Sequence, residues 1–530
     1  MKRNLFFVIG LMTIVFAIVY TYVFDSKLDL NGDNVHYLNL AKNISDGHGY
    51  TTLVVGEGFR PASHFPPGYS LILSMFMTLG VQNLLVFKIL NGVFLLVSLF
   101  MLAYAVWRLT RNAYLGVVIA VLPMFSPQLQ HFANIVMSEM SYLFFTILCF
   151  FSLYKYDALR EKQKVNILKS PWLYLAIVSA VAAYYIRTVG TSCLFALLVF
   201  FLFRREWKQL LISAFGIVLL ILPWSIRNKI HGIESRYFGT IMTVNPWRPE
   251  EGTISSVGEM WNKMLKNFDE TVIKGFTEAL FPFVQPNYGE ISSLQEILFG
   301  VLILCIVFWG AWYLKKFRWF LFAFFVANIG LFMLWHGGNG VRYVVPIFPI
   351  IYLCFYVGVF ALLELLLNYL NLQKILKYVP CIFLLMIFLM LPTIKTQASI
   401  SKMPYPQAYK NYFSIAEKIN KEKNYKGAVV CCRKPELFEY YAPNVYTVNY
   451  HYSKKSEEVI LDLIQKKVDY VVLEQLGYSS TGLYLYPAIM NHAELFFVIL
   501  QYANPDTYLL YFDRESAEKK LKDYEWQYAE

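Results

Sequence analysis

Residues 29–69 read DLNGDNVHYLNLAKNISDGHGYTTLVVGEGFRPASHFPPGY. The stretch lies between two apolar segments, 4–24 and 84–107. A run this polar needs water. It also carries Asp33, His36, Asp46, His48, Glu57, Arg60 and His64, a high density of titratable side chains beside a membrane. The reading that follows is an outward-facing loop that holds catalytic groups.

Hydrophobic residues make up 57% of the 530-residue chain and charged ones only 16%, against about 25% charged in soluble domains. Apolar windows near membrane-spanning length recur along it. The spans expected are 4–24, 84–107, 113–126, 140–157, 172–186, 188–203, 209–224, 297–314, 319–335, 344–367 and 379–394. The fold class is therefore an α-helical polytopic membrane protein of about 11 transmembrane helices. The pair around Arg187 can also be read as one broken helix. The first span reads as a retained anchor, since its apolar run is too long for a signal peptide and no small-residue cleavage site follows.

Lys and Arg in short loops set the orientation. With an inside N-terminus, Lys2, Arg3, Arg108, Arg111, Lys155, Arg160, Lys162, Lys164, Lys169, Arg204, Arg205, Lys208, Lys315, Lys316, Arg318, Lys374 and Lys377 all fall inside. The opposite short loops carry little positive charge apart from Arg187 and Arg342. This predicts a multi-pass protein of the cytoplasmic (inner) membrane with its C-terminal part outside. The net charge of +11 then faces anionic membrane lipids from within.

Two domains are expected. Residues 1–394 form the membrane domain, with outer loops 25–83 and 225–296. Residues 395–530 form a small extracytoplasmic α/β domain. Within the first outer loop, VHYLNLAKNI has helical spacing and Asn31 or Asp33 is placed to cap it. GHGY breaks that helix. HFPPGY starts another, 69–79, too short to span and ended by Gly80. In the second outer loop, 257–280 reads as an amphipathic helix. The turn WHGGNGVRYVVP, 335–346, has three glycines suited to close backbone approach or a phosphate nest. Beyond 395, helix 408–423, strand GAVVCC, a short helix, strand VYTVNY, helix SEEVILDLIQKK, strand DYVVLE, helix 484–502 and strand TYLLYFD alternate. This segment has 17 basic and 17 acidic residues, so no nucleic-acid partner is expected.

The seven cysteines show no metal-ligand spacing, and HExxH is absent. Cys149, Cys193, Cys305, Cys354 and Cys381 read as small core residues. Cys431 and Cys432, adjacent on a strand, point to opposite faces. No cofactor is expected, and a divalent metal has no support from spacing.

Asp33 and Glu139 are the candidate catalytic acids. Each has a plainer reading: a cap for Asp33, a helix-start acid favoured by the dipole for Glu139. Arg187, Arg227 and Arg342 stand at outward membrane boundaries, where the charge rule does not want them. They are candidates for binding a phosphate through forked donors, against snorkelling or structural ion pairs. Arg60 joins the phosphate-binding set, and His64 and Tyr69 are candidates for substrate contact.

GDNVHYLNLAKNISDGHGY and HFPPGYSLIL, followed by Ser126-Pro127 with Glu139, YYIRTVG (184–190), PWSIRN (223–228) and VRYVVP (341–346), resemble the motif order of the GT-C integral-membrane glycosyltransferases. The likeness covers about residues 1–350. It is closest to bacterial relatives of protein O-mannosyltransferases and of the lipid A aminoarabinose transferase. It implies a polyprenyl-phosphate-linked sugar as donor, a protein, lipid or glycan acceptor, an acidic base at Asp33, inversion at the anomeric carbon, and an extracytoplasmic site. The chain departs from the pattern at Asn34, where many relatives have a second acid, and at His64-Phe65, where the aminoarabinose branch has Glu-Lys. Other classes consistent with the chain are a lipid-linked glycan flippase or transporter and a Wzy-like polymerase or ligase. The first predicts charged mid-membrane residues and paired broken helices; the second predicts key residues in later outer loops.

Overall fold

A computed structural model describes residues 2–162, 170–233, 237–245, 247–335, 340–522 and 524. Lys164, Lys169, Gly337 and Gly338, and the side chains of Lys2, Arg3 and Lys162, lie outside the described residues.

The apolar windows all form helices. Seven described helical segments are long and apolar enough to cross a membrane: Leu84–Thr110, Glu139–Glu161, Trp207–Ile230, Leu294–Tyr313, Lys315–Leu334, Val345–Tyr369 and Pro380–Lys421. Ala113–Met124 and Pro127–Ala133 make an eighth if taken together, bent by 67°. Phe6–Tyr22, Pro171–Ile186 and Thr188–Phe203 are apolar but shorter. By length alone seven or eight of the described helices qualify, and eleven spans require these three shorter helices to cross as well. Arg187 breaks the Pro171–Phe203 region in an extended conformation. One continuous apolar core runs through the bundle. Its tightest crossing sets Gly310 against the backbone of Cys354, and Gly358 against Ile306; neither site has room for a Cβ.

Residues 25–83, expected as the first outer loop, form helix Asp33–Ser45, then an antiparallel hairpin of β1 (Thr51–Val54) and β2 (Gly58–Pro61), then helix Gly68–Thr78, closed by Gly80 at φ +84°. The hairpin was not expected from the sequence. The anticipated cap is corrected too. Gly32 is the N-cap residue, and neither Asn31 nor Asp33 caps with its side chain. Asp29 ties the turn instead. Its carboxylate accepts from the Asn31 amide at 2.9 Å, and its carbonyl from Asn34 Nδ2 at 2.9 Å. Asp33 is left free to face elsewhere. In the second outer loop, 257–280 is helical, with a wider π turn at Asp269–Lys274.

The last apolar helix, Met386–Lys402, leads into a five-stranded sheet flanked by helices. The strands are β3 (Val429–Cys431), β4 (Tyr446–Val448), β5 (Tyr470–Leu473), β6 (Phe496–Tyr502) and β7 (Thr507–Phe512), in spatial order β4-β3-β5-β7-β6. The first three pair in parallel, and β7 pairs antiparallel with β5 and β6. The expected helix 484–502 is only half correct. The α-helix ends at Asn491, one further helical turn covers Ala493–Leu495, and Phe496–Tyr502 is an edge strand. FFVILQY is rich in β-branched and aromatic residues, and the turn Ala503–Asp506 folds it onto TYLLYF. Cys431 and Cys432 do face opposite sides, each in a different core cluster. Cys305 and Cys381 are exposed on the bundle surface rather than in its core.

Candidate active site

Asp33 sits in the first turn of its helix, which the left-handed Gly32 (φ +94°) allows to begin abruptly. Glu139 opens helix Glu139–Lys162. The loop before it is clasped from the neighbouring helix: Asn91 Nδ2 donates to the carbonyls of Ile135 at 2.7 Å and Met137 at 3.2 Å. Arg187 projects from the break after Pro171–Ile186, and Arg342 from the short helical turn Gly340–Tyr343. Four separate segments thus deliver two acids and two arginines to one place.

The four groups form a chain. Arg342 Nη2 lies 2.7 Å from Asp33 Oδ2, and its Nε lies 3.4 Å from Glu139 Oε1. Arg187 Nη1 lies 2.8 Å from the same Glu139 oxygen and 3.0 Å from Ser138 Oγ. Glu139 has no exposed side-chain surface, whereas Asp33 keeps 29% and Arg342 24%. The second Glu139 oxygen is buried without a hydrogen-bond partner. A buried carboxylate needs compensating charge, and two guanidinium groups supply it here. Burial works against the Arg187 and Arg342 cations, but Glu139 together with Tyr37 for Arg187, and with Asp33 for Arg342, outweighs it and holds both above the ordinary arginine range.

Aromatic side chains floor the cluster. Tyr37 donates to Ser138 Oγ at 3.1 Å and packs on Tyr69 and Phe65, with ring centres 5.0 and 4.5 Å away. Burial pushes the Tyr37 phenol well above its usual value, so it serves as a fixed donor. Tyr69 is wholly buried and exchanges weak hydrogen bonds with Asn91. It supports the floor and has no surface to offer a substrate. Gly68 lets this helix close on the carbonyl of Tyr185, beside Arg187. From the second outer loop, Tyr288 donates to Glu278 at 2.5 Å and packs near Gly340.

Two expected phosphate ligands stand apart. Arg227 is spent on the hairpin: it donates to the carbonyls of Tyr50 and Ala62, each at 2.9 Å, and lies over Trp224. Arg60 is exposed on β2 and pairs with Glu57. His64 packs against His36 and Phe65 near the mouth, ring centres 5.5 and 4.4 Å away.

Sequence reading missed the C-terminal domain's share. His36 Nε2 lies 2.8 Å from Glu436, and Lys434 donates to the Asn31 carbonyl at 2.7 Å. Leu28 and Val35 enter that domain's own core beside Tyr412 and Phe438. Lys88, also missed, is buried near the outer end of its helix and donates to the Asp25 carbonyl at 2.6 Å and to that of Lys27. A lone Lys in an apolar window was the available signal for it; nothing local marks Glu436.

Among the described residues, no group of three or more His, Cys, Asp or Glu is arranged to hold a metal. The Arg342 guanidinium occupies the place between the two acids that a bridging divalent cation would need. The residues present do not fit such an ion.

No family model matches the sequence, and no curated protein matches it. Solved structures do. The chain superimposes on ArnT from Cupriavidus metallidurans bound to undecaprenyl phosphate with TM-score 0.56 at 11% identity, over 94% of this chain and 97% of that one. It superimposes on the oligosaccharyltransferase AglB from Archaeoglobus fulgidus, in complex with an inhibitory peptide and a dolichol-phosphate, with TM-score 0.57 at 14% identity, over 95% of this chain and 74% of that one. At such identities the likeness speaks to architecture alone, and in architecture the chain has the fold of the GT-C integral-membrane glycosyltransferases.

Proposed function

We propose that the protein is an inverting glycosyltransferase that moves a sugar from a polyprenyl-phosphate carrier to an acceptor hydroxyl of a protein, lipid or glycan, on the extracytoplasmic face of the inner membrane. The observation that carries this reading is the chain Asp33–Arg342–Glu139–Arg187 at one rim of an apolar bundle. It pairs a reachable carboxylate with two cations beside lipid. The carriers captured in the two neighbouring folds, undecaprenyl phosphate and dolichol-phosphate, support the donor class.

In this mechanism Asp33 accepts the proton of the acceptor hydroxyl as its oxygen attacks the anomeric carbon. The bond from that carbon to the carrier phosphate breaks on the opposite face, which inverts the centre. The electron pair leaves with the phosphate oxygen. Arg342 and Arg187 neutralise the growing phosphate charge through forked donors. Glu139, buried between them, is a positioning residue that holds both guanidinium groups toward the site.

Purified protein incubated with a panel of polyprenyl-phosphate sugars should release carrier phosphate, detected by mass spectrometry, in step with acceptor glycosylation. Translocation of the intact lipid-linked sugar with no released carrier would overturn the reading in favour of a transporter.

A further inference from the structure

A second cation-lined hollow lies at the opposite end of the bundle. Leu294–Tyr313 starts beside the second outer loop, and Arg318–Leu334 ends beside it, where Asn267 donates to the Met333 carbonyl. Their connection, 314–317, is therefore one helix length away from the end that carries Arg342. There a cavity of about 500 Å³ is lined by Trp312, Tyr313, Lys315, Lys316 and Arg318. This is within the size range of small-ligand sites. It adjoins an apolar groove of about 410 Å³ lined by Leu304, Cys305, Phe308, Trp309, Trp312 and Phe322. Trp312 belongs to both.

The cations at this end divide into two kinds. Lys316 is committed to Asp157, 3.4 Å away, and to Glu161. Arg204 and Arg160 are likewise tied to Asp157 and Glu206. Lys315 and Arg318 have no acid within ion-pair distance among the described residues. Arg318 instead lies over Trp312 and Trp319, 4.3 and 5.3 Å from the ring centres, and its Nε is buried without a hydrogen-bond partner. Two cations with no acidic partner among the described residues, beside an aromatic wall and an adjoining open apolar groove, match an anion attached to an acyl chain. We infer that this hollow is a binding site for one anionic diacyl phospholipid, its phosphate held by Lys315 and Arg318 and one acyl chain lying along Leu304, Phe308 and Phe322. The site is independent of the transfer reaction proposed above.

The test uses the full-length protein in detergent with dioleoyl-phosphatidylglycerol, dioleoyl-phosphatidylcholine and undecaprenyl phosphate as separate probes. Native mass spectrometry should show one phosphatidylglycerol retained in preference to phosphatidylcholine. Lys315→Gln and Arg318→Gln should each weaken retention about fivefold, while Lys377→Gln, on another loop at the same end, should not. A phosphatidylglycerol with a photoactivatable acyl chain should crosslink to residues 304–312 and 322 in the unmodified protein, a result that does not depend on any variant folding. Equal retention of the two diacyl lipids, unchanged retention in both variants, or crosslinks elsewhere would overturn the site. Preferential retention of undecaprenyl phosphate, lost in the same variants, would overturn the occupant.

Discussion

Asp33 and Glu139 are both acids at helix starts, but their surroundings give them different work. Asp33 shares one oxygen with Arg342 and stays partly open to solvent; Glu139 is sealed between two arginines. Asp33→Asn should therefore lower transfer by about 10²–10⁴-fold with at most a small fall in melting temperature, since no capping bond is lost and the ion pair given up with Arg342 is partly exposed. Transfer within a few-fold of the parent would falsify the base assignment. Glu139→Gln should do something else: it leaves the largely buried Arg187 without its acid, at a cost of about 3–5 kcal/mol, while Arg342 keeps Asp33. Melting temperature and activity should fall together. Were Glu139→Gln inactive but fully stable, with Asp33→Asn active, the base would move to Glu139. Arg227→Ala belongs to neither pattern. It removes charge-assisted bonds to the hairpin, each worth about 1.5–3 kcal/mol, so stability should drop while carrier release per folded molecule persists. Loss of release with an intact fold would return Arg227 to the phosphate site.

At the level of elements, two contacts decide the geometry. One is the crossing of Leu294–Tyr313 with Phe348–Tyr369, where glycine lets the backbones touch. Gly310→Leu has nowhere to put its side chain without separating the helices, one of which follows directly from Arg342. The expected result is a large loss of folded protein on size exclusion; a normal elution profile would show that the crossing can relax. The other contact joins helix Asp33–Ser45 to helix Pro435–Tyr441 through His36 and Glu436. Burial disfavours the imidazolium, but the Glu436 bond, with Asp33 and Glu439, outweighs it and raises the His36 pKa above its ordinary 6.5. Burial also opposes ionisation of Glu436, yet His36 brings its pKa below 4.5. A raised histidine stabilises below its unfolded pKa and loses that contribution as pH rises through its folded one. A depressed carboxylate stabilises above its unfolded pKa and loses it as pH falls. The latch is therefore strongest between about pH 4.5 and 6.5 and weakens on the alkaline side. His36→Gln should flatten the fall in melting temperature between about pH 6 and 8; an unchanged slope would locate the titration elsewhere.

Across the whole molecule, the C-terminal domain shares a core with the loop 25–83. Leu28 and Val35 are buried in the domain rather than in the bundle, and Glu250 of the second outer loop accepts from Tyr484 at 2.8 Å. The domain thus holds both outer loops over the acid–arginine chain without lending it an acid or an arginine. A truncation lacking 403–530 should keep some carrier release if it folds, but at reduced rate and with poor acceptor use. Release abolished as fully as in Asp33→Asn, by a truncation shown to be folded, would mean the domain takes part in donor chemistry. The proposed orientation has its own check in intact cells. A cysteine at Lys208 or Lys374 should resist an impermeant thiol reagent, and one at Gln475 should react. Labelling at all three would sink the outer site.

The sequence by itself determined the helices. Apolar length and loop charge are local, additive signals, and the helices fall within a few residues of the expected windows. The arginines are also visible in the sequence, because each breaks the charge rule at a membrane boundary, and the acids stand out as carboxylates at helix starts. What it left open was which of them meet. Arg187 and Arg342 come together on Glu139 from positions 155 residues apart, whereas Arg227, in an equally conspicuous place, turns to the carbonyls of Tyr50 and Ala62. Strand β6 reads as helix from sequence because a largely apolar run satisfies either period until a partner strand supplies hydrogen bonds. The His36–Glu436 latch was invisible for the same reason: 400 residues separate its partners, and only packing of the two domains brings one carboxylate to the one imidazole it fits.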